Sequence, residues 1–144
     1  MRVICQRVLN AQCIVEGKQT GAIDQGLVVF VGFTHSDTLE NIKAMVHKLS
    51  RARLFEDEMG KLNLDIQTCH YSVLSISQFT LYGDTKKGHR PSFTDAANAN
   101  LASQLYEQFN HELRQFCPVE TGQFQAHMEI SMTHDGPVTL MYEN

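Results

Sequence analysis

The sequence predicts an α+β (mixed α/β) fold: a largely antiparallel sheet closing into a partial β-barrel, with helices packed outside. Three observations carry this expectation. The predicted elements run strands, helix, strand, helix, strands, without the strict strand–helix alternation of a doubly wound parallel sheet. A continuous apolar run, Leu27-Val28-Val29-Phe30-Val31, suits a central strand covered on both faces. Two further segments change to a three- and four-residue apolar period and supply the helices.

In chain order, Arg2–Val15 is rich in Val, Ile and Cys and predicts one or two strands. Glu16-Gly17-Lys18 predicts a hairpin turn into a second strand around Thr20–Ile23. The central strand at Leu27–Val31 follows. Leu39, Ile42, Val46, Leu49 and Ala52 define the first amphipathic helix, with Asp37 as its expected cap and Glu40 three positions on. Tyr71–Leu81 predicts a strand. Leu101, Leu105, Phe109, Leu113 and Phe116 define a second helix ending before Cys117-Pro118. Phe124, Ala126, Met128 and Ile130 alternate with Gln125, His127, Glu129 and Ser131, and Val138, Leu140 and Tyr142 repeat the alternation in a final strand.

At 144 residues the chain is expected to be a single domain, 1–144, large enough to bury roughly two-thirds of its unfolded surface. No targeting segment is visible after Met1-Arg2, and the longest apolar stretch, interrupted by Gly32, is too short to span a bilayer. A cytoplasmic protein without membrane attachment is the expectation. Cys5, Cys13, Cys69 and Cys117 form no C-x-x-C pair and are expected to be free thiols. The net charge of −4 argues against a protein that coats nucleic acid, while leaving room for a local basic patch that touches a few nucleotides.

Metal and triad chemistry find little support. His111-Glu112 begins like a zinc-protease helix, but the position four after His111 is Gln115. Cys69 and His70 are adjacent, and His127 lies on the polar side of an alternating segment. No G-x-S-x-G elbow, G-x-G-x-x-G or P-loop is present. No metal and no cofactor is expected.

Two short segments stand out instead. Ser77-Gln78-Phe79-Thr80 ends an apolar run before the glycine turn at Gly83. If the backbone stays extended there, Gln78 and Thr80 share one face and Ser77 and Phe79 the other. Such a segment is either a strand with polar residues facing water or a strand end presenting an amide, a hydroxyl and backbone N–H groups to a carbonyl. Thr80 as a nucleophile lacks a visible base; backbone N–H groups stabilising an oxyanion need none. The next residues, Gly83 to Phe93, form a polar loop with Lys86, Lys87 and Arg90, either a solvated turn or a receiver of substrate phosphates. The second segment, His134-Asp135-Gly136-Pro137-Val138-Thr139, is either a turn into the last strand or a rigid backbone reader. The latter would require a cis Gly136–Pro137 bond, a state adopted by about 5–6% of X-Pro bonds in folded proteins.

Ser77-Gln78-Phe79-Thr80-Leu81 and Gly136-Pro137-Val138-Thr139 resemble the two signature motifs of the D-aminoacyl-tRNA deacylases, also called D-tyrosyl-tRNA deacylases. The resemblance extends to Met1–Val3, Gln6-Arg7-Val8, Phe55-Glu56-Asp57, Lys87-Gly88, Arg90–Ala97 and Val119–Gly122. It implies a homodimeric cytoplasmic hydrolase that cleaves the ester joining a D-amino acid to tRNA and also removes glycine mischarged on tRNA(Ala). It implies further that Gly136 and Pro137 reach into the partner subunit's site on a cis bond and reject L-amino acids, with Arg7 steadying the motif and Val138 and Thr139 supporting it. Thr80 matches a residue proposed as nucleophile, in competition with assistance by the tRNA 2′-hydroxyl. His134, where asparagine is usual, and His89, where arginine is common, depart from the family pattern. A non-catalytic module that binds the tRNA end, using Phe79 and the Lys86–Arg90 loop, is the alternative.

Overall fold

The computed structural model describes residues Met1–Asn144. A six-stranded mixed sheet carries the fold. Strands β1 (Arg2–Val15), β2 (Lys18–Ile23) and β3 (Gly26–Gly32) are followed by helix α1 (Leu39–Ser50) and a small hairpin of β4 (Phe55–Glu56) and β5 (Leu62–Leu64). Then come β6 (Ser72–Ser77), a 3₁₀ turn at Phe79–Tyr82, helix α2 (Ala99–Leu113), β7 (Val119–Thr121) and β8 (Glu129–Glu143). The main sheet runs β2-β1-β3-β6-β7, with β8 paired to the other edge of β1. The pairings of β1 are antiparallel, while β3–β6 and β6–β7 are parallel.

The two outer strands approach each other closely. A Cβ placed on Gly21 of β2 would lie 2.7 Å from the Thr121 carbonyl of β7, so the sheet is nearly closed into a barrel. Two apolar clusters follow from the alternation of β3. Leu27, Val29 and Val31 face the helices, where they meet Ile42, Met45 and Val46 of α1 and Tyr106, Phe109 and Leu113 of α2. Val28 faces the barrel interior with Val8, Cys13, Leu74 and Ile76. The continuous apolar run of β3 thus reflects burial on both sides. The cysteines are free, with Cys5, Cys13 and Cys117 buried.

Several expectations need correction. The cap of α1 is Thr38, whose hydroxyl accepts from Asn41 N–H while the Asn41 side chain accepts from Thr38 N–H at 2.9 Å. Asp37 is committed elsewhere, to the Met1 amino group at 2.6 Å and Thr34 N–H at 2.8 Å. Helix α2 stops at Leu113; the residues up to Phe116 close with tighter turn bonds such as Phe116 N–H to the Leu113 carbonyl. Phe124–Met128 is not strand. Gln125 sits at φ 61 and Ala126 N–H bonds back to Gln123, which turns the chain before β8 begins at Glu129. The alternation survives as side-chain placement: Phe124, Ala126 and Met128 are half-buried, Gln125 and His127 exposed.

The predicted strand over Tyr71–Leu81 is only Ser72–Ser77. Its last rung is Gln78 N–H to the Val31 carbonyl at 2.8 Å. Beyond this rung β3 ends, and the chain, no longer paired, coils into the 3₁₀ turn. Gln78 and Thr80 therefore do not share a strand face. The final strands are likewise one long β8, running through Gly136–Pro137 rather than turning there.

Candidate active site

A cleft of about 590 Å³ opens where β6 ends. Ser77, Gln78 and Phe79 form one wall, Ala97, Ala99 and Ala102 at the start of α2 another, and the Phe124–Ile130 stretch closes the third. Its size lies within the range of small-molecule sites, and its lining is mostly apolar with a few polar groups, as such sites usually are.

The 3₁₀ turn determines what this wall offers. The first N–H groups of a helical turn have no acceptor within it. For Phe79 and Thr80 no loop carbonyl or side chain supplies one, whereas the next amides are used: Leu81 N–H reaches the Gln78 carbonyl and Gly83 N–H the Thr80 carbonyl. Two N–H groups that the turn itself leaves without an acceptor thus follow one another where this wall of the cleft ends. Thr80 is exposed, and its hydroxyl hydrogen-bonds the Gln78 side-chain amide. An amide is no base, whichever way its N and O lie, so nothing here takes the Thr80 proton. Phe79 is 56% exposed and meets Phe93 edge-on at 5.0 Å between ring centroids.

Gly32 allows this arrangement. It faces the turn, and a Cβ there would lie 2.9 Å from the Gln78 carbonyl and 3.2 Å from Leu81 Cβ. Its interruption of the apolar run was the available signal for this close approach.

Gly136 and Pro137 lie elsewhere, on β8. His134 pairs with Val8 and Thr139 with Gln6, so the four residues Asp135–Val138 stand opposite the single Arg7. This wide bulge carries Gly136 and Pro137 outward, both exposed, with Gly136 at φ 115 and the bond between them cis. Neither lines the cleft of its own chain. Val138 turns back to pack against the main core, and Thr139 resumes the ladder. His134 is exposed.

Arg7 anchors the bulge from beneath and is 5% exposed. Its Nη1 donates to the Leu54 carbonyl at 2.7 Å, and Nη2 lies 3.6 Å from Glu56 Oε1. Nε lies 2.8 Å from Asp135 Oδ2 but outside hydrogen-bond alignment, so this contact is an ion pair without a directed N–H bond. The two carboxylates supply the countercharge a buried guanidinium needs. Glu56 and Asp135 were given no role from the sequence; Glu56 nears Arg7 only when the β4–β5 hairpin folds against β1, and Asp135 only when β8 pairs with β1. Phe124, His127 and Met128 were also missed as cleft residues, because their alternation matches an ordinary strand.

Lys86, Lys87 and Arg90 sit exposed on the loop between Gly83 and Phe93. Its base is fastened by two reciprocal backbone bonds between Asp84 and Ser92, both 2.8 Å. His89 is exposed on the same loop. The loop leaves directly from the 3₁₀ turn that follows the cleft wall.

The family described as D-Tyr-tRNA(Tyr) deacylase matches residues 4–143 of the chain. A D-aminoacyl-tRNA deacylase of Exiguobacterium sibiricum is 51% identical over 144 residues, covering 99% of each chain. Among solved structures, one described as a c-Myc DNA Unwinding Element Binding Protein superposes with a TM-score of 0.95 at 36% identity, covering 100% of this chain and 99% of that one. A second, described as a probable eukaryotic D-amino acid tRNA deacylase, superposes with a TM-score of 0.86 at 19% identity over 98% of this chain and 97% of that one, a likeness of fold. No helix is long and apolar enough to cross a membrane.

Proposed function

The chain belongs to the D-Tyr-tRNA(Tyr) deacylase family, and from that premise we propose that it hydrolyses the ester of D-aminoacyl-tRNA at the end of β6. The product pair is the free D-amino acid and tRNA. Residues 1–144 act as one cytoplasmic domain, without a cofactor. The observation that carries the mechanism is the pair of N–H groups at Phe79 and Thr80 that their turn leaves without an acceptor, beside a threonine hydroxyl that has no base.

In this reading the aminoacyl end enters the cleft and its carbonyl oxygen meets the Phe79 and Thr80 N–H groups. As water adds, the oxygen becomes an oxyanion and both bonds strengthen. One such donor contributes about 3 kcal/mol of transition-state stabilisation. Ser77 and Gln78 orient the ester, and proton transfer is left to water and the neighbouring tRNA 2′-hydroxyl. Lys86, Lys87 and Arg90 contact tRNA phosphates.

Chiral selection belongs to the bulge. Gly136 and Pro137 of the partner subunit enter the site of a homodimer, and their backbone carbonyls occupy the space an L side chain would need. The arrangement is supported by the outward projection of the bulge and by β8 itself. One edge of β8 is unpaired, none of its residues is buried, and Leu140 and Met141 are exposed upon it. Rejection of a side chain cannot exclude glycine, which has none, so Gly-tRNA(Ala) is also deacylated.

The 36%-identical structure described as a DNA-element binding protein, together with exposed Phe79 and the basic loop, favours one second reading: a non-catalytic module that binds a nucleic-acid end. Incubation of purified protein with D-Tyr-tRNA and L-Tyr-tRNA separates the two. Ester loss from the D-form alone is expected; binding of both without hydrolysis would establish the module instead.

A further inference from the structure

We infer that Arg2, for which no role is assigned above, is a positioning residue for the ester-cleaving turn. It holds the carbonyl end of Phe79–Tyr82 so that the Phe79 and Thr80 N–H groups keep their direction. The inference rests on the reading of that turn as the reaction site.

A helical turn leaves its last carbonyls without partners, and a cation there meets both the unpaired oxygens and the negative end of the peptide dipoles. Arg2 Nη1 donates to the Leu81 carbonyl at 3.0 Å. The guanidinium carbon lies 4.6 Å from the centre of the Tyr82 ring, giving a cation–π contact in the same turn. On its other side, Nε donates to Glu143 Oε1 at 2.9 Å. One planar group thus serves a carbonyl, a ring and a carboxylate, a combination that the single ammonium of lysine does not reproduce.

The placement of Arg2 is fixed by register. It pairs with Gly32 of β3 on one side and Glu143 of β8 on the other. Gly32 is the residue over which the Gln78 carbonyl and Leu81 pack. The turn therefore rests on Gly32 while Arg2, opposite in the ladder, grips its far end. Glu143 neutralises and orients the guanidinium. A plain surface ion pair between Arg2 and Glu143 would account for the Glu143 contact but not for the two contacts within the turn.

Arg2→Ala, Arg2→Lys and Glu143→Gln test the assignment through single-turnover deacylation of D-Tyr-tRNA, thermal melting and amide exchange. Arg2→Ala is expected to lower kcat about ten- to a hundred-fold, the scale of a small displacement of reacting groups, with KM nearly unchanged. Arg2→Lys is expected to recover part of that loss and Glu143→Gln to lose little. In Arg2→Ala the Leu81 and Gly83 amides, which close the turn, exchange faster by about ten-fold while the β3 amides do not. An unchanged kcat in either Arg2 variant, or a kcat loss matched by faster exchange throughout β3, would overturn the inference. A wild-type protein that fails to hydrolyse D-Tyr-tRNA overturns the functional reading and, with it, the catalytic part of this one; the exchange result still decides whether Arg2 holds the turn. If Arg2→Ala does not fold, Arg2→Lys supplies the same comparison.

Discussion

At Ser77–Thr80 the chain is held chiefly by neighbouring backbone, with Arg2 only at the far end of the turn, and at Asp135–Val138 by one side chain. The first region ends a parallel ladder buried on both faces; its last rung, the close approach at Gly32 and the 3₁₀ closure leave it little choice of conformation. The second region leaves its ladder for four residues and depends on Arg7 below it. The contrast matches two tasks. Under the proposed function, the oxyanion donors would have to be rigid relative to the reacting atoms, and their turn is joined directly to the sheet. Under the same proposal, the bulge would have to project to serve another subunit, and it lies on an open-edged strand. The proposed division of labour can be broken by moving one region while leaving the other in place.

The largest effect on rate is expected from Gly32→Ala. Its methyl would press on the Gln78 carbonyl and displace the turn, lowering kcat about a hundred-fold or ~2.7 kcal/mol, with preference for the D-form retained. Arg7→Ala should do the reverse. It leaves the Glu56 and Asp135 carboxylates without their cation and the Leu54 carbonyl without its donor. Because both carboxylates reach solvent, the loss in urea denaturation should be about 2–3 kcal/mol, less than for a fully buried pair. Deacylation of L-Tyr-tRNA should rise relative to the D-form in this variant. A Gly32→Ala protein that loses chirality but keeps its rate would dissolve the distinction.

Replacing Lys86, Lys87 and Arg90 by Ala sharpens the comparison from outside both regions. KM should rise about ten-fold and the log–log salt dependence of binding flatten by about two units for three lost phosphate contacts, with kcat little changed. An unchanged salt slope would mean the loop is only a solvated turn.

Sequence patterns showed the barrel well because burial leaves a local signature: alternation in β1, a continuous apolar run in β3, and a three- and four-residue period in the two helices, of which α2 ends earlier than its period implied. The errors fall where geometry depends on distant neighbours. The strand through Ser77 stops because its partner β3 stops at Gly32, which no local pattern in residues 78–81 reports. Thr38 caps α1 because Asp37 is drawn to the Met1 amino group. Phe124–Met128 keeps a strand's alternation while curling around a cleft. Of the candidate site, Ser77–Thr80 and Gly136–Pro137 stood out as short motifs, but Phe93 meets Phe79, and Glu56 and Asp135 meet Arg7, only through tertiary folding.

The smallest mutational effect is also the most decisive. Thr80→Ala removes the hydroxyl and keeps the backbone N–H. If the peptide backbone stabilises the oxyanion and Thr80 is not the nucleophile, the single-turnover rate on D-Tyr-tRNA should fall by less than about ten-fold, under ~1.4 kcal/mol. A fall of about a thousand-fold or more, ~4 kcal/mol, would contradict the account and make Thr80 the attacking group.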